Sequence, residues 1–313
     1  MSNRPPKKYD VVGLGMSMID LFQVVEEFPA GEGVTEVLAS TLLGGGPVPT
    51  AMVTAATLGA RTAMIDRIGA DWRGEQVAVE YRKAGVDLSG FTLEKNRSTT
   101  FGSVLVRKRD GARHVVFSPG SFTPLDSDEL PKGLLRETNI LHLNGRHWPA
   151  CIDAAKIVHE NGGQVSFDGG ANRYDEKFLE LLPLVDVLIV ARDFAEKLTE
   201  SEATGDQLGA MIALGAKIAG VTDGKNGAWF ATENGDDVFH QAAYPVESVV
   251  DTTGCGDVFH GAFLFGLSQQ WSPQECAQLA SAAAAMNATA LGGRGKIATL
   301  SEISEFLQGA RIV

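Results

Sequence analysis

Short apolar segments alternate with helix-patterned ones along most of this chain, and that alternation constrains its fold more than any other feature. "YDVVGLG" (9–15), "TAMIDRIG" (62–69), "NILHLNG" (139–145), "QVSFDGG" (164–170), "DVLIVA" (186–191) and "KIAGVTDG" (217–224) are each too short for a helix. Most run directly into Gly, Asp or Asn. Helical patterns occupy 149–161, 192–199, 206–214, 255–269 and 273–290. Strand–helix–strand repetition of this kind builds parallel βαβ units, so the chain is an α/β protein. Length alone would allow two domains, yet no repeat, low-complexity tract or long linker divides the 313 residues, which read as one unit.

Two regions break the rhythm. Residues 20–43 and 97–118 alternate in hydrophobicity, the second turning at Asp110–Gly111 like an antiparallel hairpin. Together they are expected to form a small sheet beside the main one, acting as a lid.

The balance of 39 acidic to 27 basic side chains gives a formal charge of −12, which argues against nucleic acid or an anionic membrane as partner. Cys151, Cys255 and Cys276 are odd in number and lack zinc-ligand spacing, and the six histidines lack metal spacing too; a reducing cytoplasm is the expected home. The N-terminal stretch has no apolar run suited to a signal peptide or membrane anchor.

Ligands of open α/β sheets sit beyond the carboxyl ends of the strands, so chemistry is sought just after each strand. In "VVDTTGCGDVFHGAFLFGL" (249–267), Gly254 and Gly256 allow a sharp turn into a helix whose first N–H groups and dipole favour an anion. Asp257 at that mouth has two readings: a cap for the helix, or a general base taking a proton from an attacking hydroxyl. A thiol at a helix start, Cys255, has a route to a lowered pKa, or is a small residue tolerated in the turn. The Gly13–Gly15 pair lacks the third glycine of a dinucleotide fingerprint. Arg146, after the 139–145 strand, faces the expected crevice; it either binds an anionic or hydroxyl-rich end of a ligand or pairs with an acid such as Asp168. His260, one turn after Asp257, reads as a helix-surface or packing residue.

"DTTGCGDVFHGAF" (251–263) resembles the C-terminal signature of the ribokinase/PfkB carbohydrate kinases, Asp-Thr-x-Gly-x-Gly-Asp-x-Phe, at every core position. The resemblance runs in order along nearly the whole chain. It implies a ribokinase-like three-layer α/β/α Rossmann-like sheet with a β-sheet lid. It makes Asp257 the catalytic base, with the amides of Gly254, Cys255 and Gly256 as anion hole. Asp251, Thr253 and the region of Gly292 match positions that hold a monovalent cation, K+. "LLGGGPVPTAMVTAATLGA" (42–60) is similar to the N-terminal signature, which places Gly45, Gly46 and Thr50 at the sugar, although Pro47 stands where Asn is common. Asp20 matches the acid that binds vicinal sugar hydroxyls. "VTDGKNGAW" (221–229) looks like the nucleotide turn, with Thr222, Gly224 and Gly227 near the phosphates. Arg113 matches a lid residue that reaches the nucleotide, and "AAAAMNATALGGRG" (282–295) a segment closing over adenine, its alanines serving packing rather than contact.

One departure concerns Mg2+. The family's Asn-x-x-Glu, which organises the magnesium waters, is replaced by Ala191 and Phe194, leaving Asp168 as an alternative acid. "GGGPVPTA", "DTTGCGDVFHGA" and "GGRGK" resemble the branch containing sulfofructose kinase and ketohexokinases. The expected activity is therefore transfer of the ATP γ-phosphoryl group to a primary hydroxyl of a ketohexose-like sugar. A pentose or nucleoside acceptor, a homologue that binds without turnover, and a nicotinamide dehydrogenase are the alternatives. Exposed lid edges imply a homodimer joined through the lid.

Overall fold

A computed structural model describes residues 6–235 and 238–310. The chain begins with β1 (Tyr9–Leu14), β2 (Met18–Val25) and β3 (Ala39–Gly45), then α1 (Pro47–Leu58), β4 (Thr62–Gly69), α2 (Trp72–Ala84) and β5 (Asp87–Glu94). It continues through β6 (Thr100–Arg107), β7 (Arg113–Ser118), α3 (Lys132–Arg136), β8 (Thr138–Leu143), α4 (Ala150–Glu160), β9 (Gln164–Gly169) and β10 (Val187–Ala191). The remainder is α5 (Arg192–Thr199), α6 (Thr204–Ala213), β11 (Ile218–Thr222), β12 (Ala228–Thr232), β13 (Phe239–Gln241), α7 (Cys255–Ser268), α8 (Pro273–Asn287) and α9 (Leu300–Ala310).

Nine strands form one sheet in the order β13-β12-β11-β10-β9-β8-β1-β4-β5. Its pairings are parallel from β11 to β5, while β12 and β13 add an antiparallel edge. Strand periodicity splits the apolar residues between two cores. Val12, Leu14, Leu188 and Val190 face the layer carrying α4, α5 and α6. Val187 and Ile189 face the layer of α1, α7 and α8, where Phe230 stacks on Phe263 at 5.4 Å between ring centroids. Val11 and Met64 also face that side, packed against Met52 and Tyr81. This is an α/β/α sandwich.

The smaller sheet, ordered β3-β2-β6-β7, consists of two antiparallel hairpins joined by parallel pairing of β2 with β6. Its strands come from the two regions that break the main rhythm. The β6–β7 connection turns at Asp110–Gly111, where both Asp110 oxygens accept from Arg107.

Sequence periodicity missed α2, α3, α9, β5, β12 and β13. Helix α2 is half polar and is defined by its ends: Asp71 accepts from the Gly74 amide at 3.0 Å, and Arg82 and Lys83 lie in the last turn. Strand β5, "DLSGFTLE", is an edge strand of mixed polarity without a continuous apolar run. Among the described residues no helix is long and apolar enough to cross a membrane.

Candidate active site

Helix α7 starts beyond the carboxyl ends of the central strands. Its N-cap is Gly254, at φ 72°, ψ −3°, and a side chain there would collide with the backbone of Gly293. Only glycine suits both the left-handed turn and that contact. Asp257 is not a cap: the helix start has no side-chain capping bond, and its carboxylate makes no hydrogen bond among the described residues. The capping alternative is removed. Gly256 faces open space, so a ligand can approach the first amides of the helix.

Beside Asp257 lies a buried polar group that sequence reading did not assemble. His260 is buried, and its Nε2 lies 3.3 Å from Oδ1 of Asp168, which is buried at the end of β9. This corrects two expectations. His260 lies inside the fold, packed on His142 and facing Asp168, rather than on the helix surface, and Asp168 faces it rather than Arg146. His142, on β8, packs against His260 in a tilted arrangement at 5.3 Å between ring centroids and meets Ser166 Oγ at 3.2 Å. Burial, then the charge of His260, drives the His142 pKa down to about 3, so its ring is neutral.

The two acids are thereby set apart. Burial would raise Asp168, but the neighbouring His260, and more weakly Arg173, outweigh it and hold this carboxyl below the usual range. Burial, then the negative charge of Asp168, pushes Asp257 up to about 6, against the pull of Arg173, His260 and Arg294. A half-buried carboxylate with that proton affinity, beside free helix amides, suits general-base work near neutral pH.

Asp20, on β2, lies opposite in the smaller sheet. Side chains at Gly45 and Gly102, on the neighbouring strands, would overlap its carboxylate, so both glycines leave space for that group. Burial, partly offset by Arg294, raises Asp20 to about 6. The turn leading to it is fixed at the main sheet. Asp66 accepts from the Ser17 amide at 2.6 Å and faces His147 Nε2 at 2.8 Å. The Leu125 amide donates to His147 Nδ1 at 3.0 Å, so the ring carries its proton on Nε2 and donates to Asp66.

Thr50, on α1, is buried; its Oγ1 accepts from Arg294 Nε at 3.1 Å, and Arg294 Nη2 points at the Gly45 carbonyl at 3.5 Å. Gly46 is the N-cap of α1. Arg146 is exposed at the surface; partial loss of water around its guanidinium, then the nearby charge of Arg173, lowers its pKa. Neither Arg294 nor Arg173 stood out in the sequence, although "GGRG" and "DGGANR" set each in a glycine-rich loop.

On the other side of α7 is a cleft of about 650 Å³. Thr222, Gly224 and Gly227 line one wall and Cys255, Gly256 and Phe259 another, with Ala284, Ala285 and Ala288 of the α8 region completing it. Those alanines thus take part in the cavity as well as in packing. Cys255 is no activated thiol: burial pushes it up to about 11, correcting the lowered-pKa alternative. Arg113, on β7, reaches across from the smaller sheet, donating to Thr253 Oγ1 and standing 3.8 Å from Asp251 Oδ1.

Asp251, Thr253 and Gly292 do meet. Asp251 accepts from the Thr253 amide at 2.8 Å and hydroxyl at 2.6 Å, and from the Gly292 amide at 3.0 Å. All three bonds converge on the Asp251 carboxylate from amide and hydroxyl donors, with Arg113 beside it; the main-chain carbonyls near Gly292, where the resemblance places K+, take no part in them. Among the described residues no three His, Cys, Asp or Glu side chains converge on a metal position. Phe194 is buried against Phe167 and Tyr174, so the usual magnesium motif cannot form there. Asp168 Oδ2 is buried and unpartnered, which fits a carboxylate holding waters of a nucleotide-borne Mg2+.

The profile of the pfkB family carbohydrate kinases matches residues 8–300. The chain belongs to that family. A Staphylococcus aureus ribokinase is 26% identical over 307 residues, covering 94% of this chain and 98% of the relative. Mouse ketohexokinase is 22% identical over 273 residues, covering 85% and 91%. The crystal structure of ribokinase from Thermotoga maritima superposes with a TM-score of 0.82 at 25% identity, covering 96% of this chain and 99% of that one. As a pfkB carbohydrate kinase, the protein is a phosphotransferase acting on a sugar hydroxyl, and its fold is that of the ribokinase-type kinases.

Proposed function

We propose that this pfkB kinase transfers the γ-phosphoryl group of ATP to a primary hydroxyl of a ketohexose-like sugar. The observation carrying the reading is Asp257: a carboxylate free of protein hydrogen bonds, raised to about 6, at the mouth of a helix with an open approach at Gly256. Asp257 accepts the proton of the attacking hydroxyl, while the amides of Gly254, Cys255 and Gly256 receive the charge that builds on the transferred group. Asp20, with Gly45, Gly46 and Thr50 beside it, orients the sugar by accepting its hydroxyls. Arg146 contacts its far end.

ATP occupies the cleft between Thr222, Gly224, Gly227 and the α8 alanines, with Arg113 closing from the lid. Mg2+ bound to the phosphates would screen their charge, held through water by Asp168. An Escherichia coli neighbour was crystallised with ATP and Mg2+, which supports this assignment of cofactors. The ketohexose preference rests on the mouse ketohexokinase match, and the S. aureus ribokinase match makes ribose the competing acceptor. ADP release should be measured across D-fructose and other ketohexoses, D-ribose and adenosine. Fastest kcat/KM on a ketohexose supports the proposal, ribose or adenosine transfers it to the alternative, and no turnover on any of them removes it.

Strand β7 is exposed along its whole length, with Val115, Val116 and Phe117 bare at an open sheet edge. A second copy covering that edge gives a homodimer through the lid. Light scattering at micromolar concentration should return twice the chain mass; a monomer contradicts it. Cys151 and Cys276 are buried free thiols, consistent with a reducing cytoplasm.

A further inference from the structure

Arg294 is the buried cation of this molecule that the chemistry above leaves without a task. Its side chain is 4% exposed, and burying a guanidinium is costly unless every donor finds a partner. Nη1 pairs with Glu80 Oε2 of α2 at 2.9 Å, Nε donates to Thr50 at 3.1 Å, Nη2 reaches the Gly45 carbonyl at 3.5 Å, and the plane lies over the Tyr81 ring. Both Glu80 oxygens also accept from the Gly44 amide, at 2.8 and 2.9 Å. A side chain at Gly44 would collide with Arg294 and Glu80 together. All these contacts belong to the sugar side of the cleft.

The loop that carries Arg294 belongs to the phosphate side. Gly292 is fixed by Asp251, the Gly293 backbone packs on Gly254, and Asn287 holds the loop twice. Its Nδ2 donates to the Gly293 carbonyl at 3.4 Å, and its Oδ1 accepts from the Lys296 amide at 3.1 Å. The same Nδ2 reaches the Thr253 carbonyl at 3.2 Å. Loop 292–296 and the anion hole are therefore tied together by hydrogen bonds and close backbone packing, and Arg294 is the loop's reach into the acceptor pocket. Its charge acts on Asp20 and on Asp257 alike.

We propose that Arg294 is a positioning residue that couples the two half-sites: filling the anion hole immobilises loop 292–296, and Arg294 passes that order to Gly44, Gly45 and Thr50 before any sugar binds. A lysine cannot replace it, because a single ammonium does not span Glu80, Thr50 and Gly45 at once. The proposal rests on the kinase reading, and its test needs no knowledge of the sugar.

The test is hydrogen exchange with and without the ATP analogue AMP-PNP and Mg2+, no sugar being present. In the wild type the nucleotide should slow exchange in 222–228, which it touches, and also in 42–50, by roughly fivefold or more, the lower end of ordinary coupling between sites. Arg294→Lys should keep the first effect and lose the second. Should that variant not fold, Glu80→Gln carries the test. Its amide oxygen still accepts from Gly44 but the ion pair is gone, so protection of 42–50 must drop there too. Unchanged coupling in a folded variant overturns the proposal, as does wild-type protection confined to 222–228. Protection of neither segment overturns the kinase reading and this inference with it.

Discussion

Asp257→Asn should make this protein more stable while silencing it, and the gain should depend on pH in a defined way. Asp257 rises from 3.8 to about 6 on folding, so the folded state holds its proton more tightly than the unfolded chain. Below pH 3.8 both states are protonated and the group costs nothing. Between 3.8 and about 6 the unfolded chain ionises first, and stability falls as pH rises. Above about 6 the cost is complete: about two pK units, on the order of 3 kcal/mol as an upper bound. Asparagine never ionises and escapes that cost. Urea unfolding at pH 7.5 should place the variant above wild type by roughly 1–3 kcal/mol, and at pH 4 the two curves should converge. A variant less stable than wild type at pH 7.5, or a difference independent of pH, would refute a carboxylate strained by burial and by Asp168.

The same group governs the rate. Once a substrate is known, log kcat/KM should fall with unit slope below about pH 6, and a flat acid limb down to pH 5 would contradict a base of that affinity. Asp20→Asn removes the charged acceptor for two hydroxyls and should raise the sugar KM by roughly tenfold or more with the KM for ATP nearly unchanged; steady-state kinetics in both substrates checks it. Cys255, raised from 9.0 to about 11, carries about a hundredfold less thiolate than an ordinary thiol. Iodoacetamide at pH 7.5 should modify it slowly, as mass spectrometry of the 255-containing peptide would show, and rapid labelling would overturn the buried-thiol description.

Strands that build the main sheet were legible because burial on both faces demands continuous apolar runs. "TAMIDRIG" marks β4 to the residue, whereas β5 pairs on one side only and its Asp, Ser and Thr hide it. The start of α7 was legible because a left-handed turn into a helix needs Gly254, and local chemistry of that kind is written in adjacent residues. Partnerships across the fold were not. His260 meets Asp168 from another element, and Arg294 finds Glu80 214 positions away. No spacing rule connects such residues; only the packing of α7 over β8 and β9, and of loop 292–296 against α1 and α2, does so. The alternative pairing of Arg146 with Asp168 failed for the same reason.

Single-turnover phosphoryl transfer by Asp257→Asn, with Mg2+, ATP and the best acceptor, tests the central claim most directly. The account predicts a loss of roughly 10²–10⁴ in the transfer rate, the usual weight of a positioned base, with the affinity for AMP-PNP nearly unchanged. Transfer close to the wild-type rate would show that Asp257 takes no proton from the sugar.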